Sequence, residues 1–136
     1  MKPALALATL VLVGSTPALA ADRIAERCTG TEMLQVGTKP PTRVPYTLSF
    51  SADLAAGTYC YDRCAADQRY RISDARSNPV KLSSIHRDGQ DRLLTFDRRT
   101  AMLSDDQRFE SGLGRIVRKA RATCVPAAYH QPALRP

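Results

Sequence analysis

The chain has 136 residues, with 20 Lys and Arg against 13 Asp and Glu, five Tyr, three Phe, four Cys and no Trp. That length excludes more than one ordinary domain, and without Trp the core must rest on aliphatic burial with a few Tyr and Phe anchors. The net charge of +7 will draw the chain to polyanions without specifying which one.

Residues 1–20 are expected to be a secretory signal peptide. Lys2 supplies the positive start, Ala4 to Val13 the apolar stretch, Pro17 a break and Ala18-Leu19-Ala20 the small-x-small cleavage site. About ten apolar residues fall well short of the roughly 20 that span a bilayer, so a membrane-spanning anchor is not expected. No Cys follows Ala20, which removes a lipid-anchor site. The mature chain is then a single domain over residues 21–125, periplasmic or secreted, with a charge of +6 once Lys2 is lost. That location argues against nucleic acid as the partner. It leaves lipid phosphates, lipopolysaccharide, acidic glycans and wall polymers to attract an Arg-rich surface.

Four Cys in an exported chain read as two disulfides. Cys28 with Cys124 would tie the domain's ends together, and Cys60 with Cys64 would close a local loop; pairing of Cys28 with Cys60 or Cys64 is the alternative. The long closure is worth about 4 to 5 kcal/mol in the chain-entropy model, so structural cysteines are expected. The Cys60-x-x-x-Cys64 spacing is one residue too long for the redox C-x-x-C motif, and no His follows it for haem attachment. His86 and His130 complete no metal-ligand spacing with them. No metal or cofactor is therefore expected.

Lys39 to Pro45 holds three prolines and is expected to be an extended, stiff surface loop. Tyr46, Leu48, Phe50, Ala52 and Leu54 then alternate with polar residues, the pattern of a strand with one buried face. Ala55-Ala56-Gly57 turns the chain, Thr58 to Asp62 returns, and Tyr70 to Ser73 adds a short strand. Val80 to Ser83 begins another strand whose phase breaks at Ser84-Ile85, as a bulge would produce. Asp88-Gly89 marks a hairpin into Arg92 to Phe96, with Leu94 and Phe96 inward. Asp97 to Thr100 makes the next turn, Met102 leads on through Phe109, and Gly112 and Gly114 mark a loop. Residues 115–124 fit a helix or a strand; the all-β surroundings and the need to return Cys124 favour strand. Residues 126–136 are expected to be a disordered tail. Short strands with regular turn signals predict an all-β fold, a small antiparallel β-meander closing into a barrel or sandwich, stapled by disulfides.

Enzymatic chemistry is not expected. Asp105 and Asp106 are adjacent, so on a strand they face opposite ways and cannot converge as a glycosidase pair. They read as solvated turn residues. His86 is accompanied by no G-x-S-x-G serine. The basic residues offer a better case: Arg63, Arg69 and Arg71 follow Tyr59 and Tyr61, while Arg115, Arg118, Lys119 and Arg121 crowd the last element. Guanidinium forks beside tyrosine faces would suit phosphate, sulfate or carboxylate groups.

Tyr59-Cys60-Tyr61 with Cys64, the hairpin Phe96-Asp97-Arg98-Arg99-Thr100, and Ala122-Thr123-Cys124 together resemble small exported proteins of Gram-negative bacteria with no established activity. Those proteins tend to have Gly where this chain has Ala101. Ser111-Gly112-Leu113-Gly114 is similar to the Ser-Gly loop of exported lysozyme inhibitors, small disulfide-stapled β-barrels, although Arg115 stands where those have Tyr. These resemblances imply a fold and no mechanism. The function expected is non-enzymatic binding of an anionic envelope component or an envelope protein. The alternative is a small-molecule or lipid carrier whose barrel cavity is lined by Leu48, Phe50, Leu82, Leu94 and Phe96.

Overall fold

A computed structural model describes residues 22–133. The expected signal peptide and the last three residues, 134–136, lie outside them. The fold is all-β. Eight antiparallel strands form one nearly closed, barrel-shaped sheet: β1 (Arg23–Val36), β2 (Thr42–Asp53), β3 (Thr58–Tyr61), β4 (Tyr70–Arg71), β5 (Val80–Arg87), β6 (Gln90–Asp97), β7 (Met102–Ser111) and β8 (Gly114–Pro126). Their order in the sheet is β4-β3-β2-β1-β8-β7-β6-β5, so the first and last strands are central neighbours. Among the described residues, no helix is long and apolar enough to cross a membrane.

Alternation fixes what faces inward. Cys28 lies opposite both Leu48 and Cys124, so even positions of β1, β2 and β8 share the inner face, as do odd positions of β7 and even positions of β6. Phe50, Leu82, Leu94, Leu103 and Val80 are fully buried there, and Phe50 meets Phe96 edge to face at 5.5 Å. The positions expected either to line a cavity or to pack thus form a packed core, with Leu48 against its side. Both disulfides join the expected partners, Cys28 to Cys124 and Cys60 to Cys64. Gly30 sits where β1 and β8 approach so closely that a Cβ would lie 2.0 Å from the Arg121 carbonyl oxygen.

The barrel has two unlike ends. The turns joining β1 to β2, β5 to β6 and β7 to β8 gather at one, the hairpin end, where Gly37, Gly89 and Gly114 take positive φ. At the other, the loop end, the Ser73 amide donates to the Lys81 carbonyl and Asp74 bridges to Lys81, which joins the β4 side to β5. Nearer the hairpin end the ring stays open at the side, because β3 pairs with β2 only from Phe50 to Asp53.

Several expectations are corrected. The strand expected from Tyr46 starts at Thr42 and contains Pro45, which the sequence placed in a loop. The Asp62 amide donates to the Ser49 carbonyl, so odd positions of β2 turn their backbone groups toward its outer edge. Pro45 lies on that parity and loses no ladder bond by lacking an N–H. The bulge of β5 falls between Lys81 and Ser83, slightly ahead of the expected place. Residues 114–126 are strand, as favoured. Asp105 is no turn residue: it is an inward, buried position of β7, while Asp106 faces out.

The described part of the expected disordered tail, up to residue 133, has a definite path. The Ala127 amide donates to the Ala25 carbonyl, the His130 amide donates to Ser51 Oγ, and Pro132 is buried. This strap lies against the outer face of β2 and β3, which accounts for the burial of Ser51 and Cys60 on that side.

Candidate functional site

Beyond the apolar core, the inner face turns polar toward the hairpin end. Glu32, Tyr46, Arg92, Asp105, Gln107 and Arg118 all point inward there. Arg92 holds Asp105 with two bonds of 3.0 and 2.9 Å, while Tyr46 and Gln107 each donate to the same carboxylate at 3.0 Å. Arg118 holds Glu32 in the same way, at 2.9 Å for both contacts. Both carboxylates are buried, and a buried charge persists only when paired and fully hydrogen-bonded. Burial and the neighbouring Asp105 push the Tyr46 hydroxyl well above its ordinary value. Burial opposes the charge on Arg92, but its bonds to Asp105 outweigh that and hold it protonated. The Asp105 network ties β2, β6 and β7 together and the Glu32 pair ties β1 to β8, leaving neither acid free.

Tyr59 and Tyr61 are also inward. With Tyr70 they form an aromatic cluster with ring centroids 5.2 to 5.4 Å apart, and the Arg92 guanidinium lies 5.9 Å from the Tyr61 ring centre. Tyr59 lies opposite Tyr70, so Arg71, one residue further on, takes the other face of the sheet from the tyrosines. Arg63 is exposed after β3, while Arg69 and Arg71 lie at β4. On β8, Arg115 pairs with Glu110, Arg118 with Glu32 and Arg121 with Asp106; Lys119 alone has no ion-pair partner among the described residues. Three strands separate β4 from β8 in the sheet, so the two basic groups stand apart. On the outer face, His86 and Arg108 both bind Asp91, whose carboxyl is held below its usual range by these partners, Arg108 first.

Unpaired cations gather at the loop end. Arg98 and Arg99 are exposed on the turn between β6 and β7, without an acidic partner among the described residues. The turn is braced. Oδ1 of Asp97 accepts the Arg99 and Thr100 amides and Asn78 Nδ2, while Asn78 Oδ1 accepts the Arg98 amide at 3.1 Å. Arg76, Arg71 and Lys81 are exposed on the adjoining segments. Three acids at this end serve their own turns: Asp97 as described, Asp74 by accepting the Arg76 and Ser77 amides, and Asp53 by accepting the Ala56 amide. Asp97 to Thr100 is the expected turn, but its exposed charge is not evident from the sequence. An Asp that opens a tight turn is occupied by backbone, and the two arginines behind it are left to solvent.

The chain matches no family model, no curated protein and no solved structure. The ion pairs hold the hairpin end of the sheet together, and Arg71, Arg76, Lys81, Arg98 and Arg99 lie unpaired at the loop end.

Proposed function

We propose that this is a non-enzymatic binding protein whose loop end engages an anionic component of the cell envelope. The observation that carries the reading is the cluster of unpaired cations around the braced Arg98–Arg99 turn. The ion pairs belong to β1 and β5 to β8, whereas Arg71, Arg76, Lys81, Arg98 and Arg99 have no acidic partner among the described residues. Unpaired guanidinium groups on a braced turn keep their donors available to phosphate or carboxylate, and a dense cluster raises the local concentration of polyanion. The expected signal peptide supports an envelope location for that partner.

The test is co-sedimentation with phosphatidylglycerol vesicles. The double variant Arg98→Gln/Arg99→Gln is expected to reduce binding several-fold and to flatten its salt dependence, whereas Arg115→Gln/Arg121→Gln changes it little. Equal losses from both double variants, or none from the first, would refute the assignment to the loop end.

A further inference from the structure

Next to the loop end, a cleft of about 380 Å³ lies between the β2–β3 turn and β4, lined by Ala56, Gly57, Thr58, Arg69, Tyr70 and Arg71. Two of its four polar side chains, Arg69 and Arg71, are cationic and donate only. Arg69 is half-buried, and its Nη1 is enclosed with no acceptor among the described residues. Arg71, directly across from Thr58 in register, is exposed and has no acidic partner among the described residues. The Gly57 carbonyl takes the Ile72 amide at 2.9 Å, and Asp53, whose Oδ1 takes the Ala56 amide at 2.9 Å, does not line the cleft. Above Gly57, at φ +67°, a Cβ would meet nothing within 4 Å, so the cleft floor is open.

Arg69 and Arg71 line one cleft that no carboxylate lines, and two guanidinium groups so placed favour a doubly charged oxyanion over a carboxylate. The geometry points to a site for one phosphate monoester group or inorganic phosphate, held by the Arg69 and Arg71 forks above Gly57. The inference rests on the cleft alone and does not require the Arg98–Arg99 contact.

The experiment is a titration of the full mature chain with inorganic phosphate at constant ionic strength, followed by amide NMR shifts and melting temperature, with chloride and acetate as controls. Phosphate is expected to shift amides of residues 56–58 and 69–71 and to raise the melting temperature. Arg69→Gln and Arg71→Gln should each weaken binding about tenfold or more, the loss of one charged hydrogen-bonding partner. Arg98→Gln/Arg99→Gln should leave phosphate affinity unchanged, which separates this site from the vesicle contact. Should Arg69→Gln not fold, Arg69→Lys keeps the charge without the fork and should also bind more weakly. No shift in the wild-type cleft, equal shifts with acetate, or affinity indifferent to both substitutions would overturn the site. Phosphatidic acid vesicles released by inorganic phosphate would identify a headgroup as the source. Solution binding without such release would identify free phosphate.

Discussion

The Tyr46 hydroxyl donates to Asp105 at 3.0 Å, joining β2 to β7 across 59 residues of sequence. Because Asp105 also anchors Arg92 and Gln107, the two residues differ in what their loss removes. Tyr46→Phe deletes one bond to a charged acceptor and should cost about 1.5 to 3 kcal/mol. Asp105→Leu leaves the Arg92 charge half-buried and unpaired and should cost about 3 to 5 kcal/mol. Urea denaturation of the two variants reads the difference, and a larger loss from Tyr46→Phe would contradict the network's hierarchy.

Ala101 stands in the left-handed region at φ 53°, where glycine is favoured, and its carbonyl accepts the Cys124 amide at 2.8 Å. Ala101→Gly relieves the backbone while loosening the unfolded chain, so a net gain of about 0.5 to 1 kcal/mol is expected. A stability loss in denaturant titration would mean that the alanine methyl packs more favourably than its backbone is strained.

Acid should destabilise the protein through Asp74, Asp91 and Asp97. Backbone amides of Arg76 and Ser77 at Asp74, the Arg108 and His86 side chains at Asp91, and the Arg99 amide with Asn78 at Asp97 hold these carboxyls below their ordinary 3.8. A depressed carboxyl contributes stability above its unfolded value and loses it as the pH falls through the folded one. The melting temperature should therefore hold down to about pH 4 and drop below it. Glu26 has the opposite sign. Burial raises its carboxyl, so its contribution is present at low pH and disappears as the pH rises through its folded value. Glu26→Gln should raise the melting temperature at pH 7 and not at pH 3; a gain at both, or at neither, would refute the sign.

Pro45 guards an edge. The outer edge of β2 from residue 42 to 48 pairs with no strand among the described residues, and Pro45 presents no donor there. Pro45→Thr restores the N–H and should promote edge-to-edge dimers in analytical ultracentrifugation at high concentration. A variant as monomeric as the wild type would show that the twist of β2 already blocks pairing.

Strands with a purely apolar inner face were legible in the sequence, and so was the pairing of Cys28 with Cys124. β1 was not. Its inward positions include Glu26, Gly30 and Glu32, which break the alternation that marks a strand, although Glu32 is buried against Arg118 and Gly30 allows close packing. Asp105 was misread for the same reason, since a buried charge can be recognised only with its partner. The candidate site was half legible. Arg69 and Arg71 were named, but Arg115, Arg118 and Arg121 were counted as free because their acids come from β1 and β7, distant in sequence or on the facing strand. Arg98 and Arg99 went unnoticed because the residue that leaves them free, Asp97, reads as a nearby counter-charge.

The seam between β1 and β8 runs from Glu26 with Pro126 to Val36 with Ile116. During synthesis the first strand must therefore wait for the last, and no partial chain can complete the ring. Such distant pairing makes folding slow and leaves intermediates with open edges. The inward Glu26 and Glu32 acquire a second meaning here. A waiting strand with charges on the face that will later be buried is a poor template for another copy, so the residues that hide β1 from a pattern search also protect it until β8 arrives.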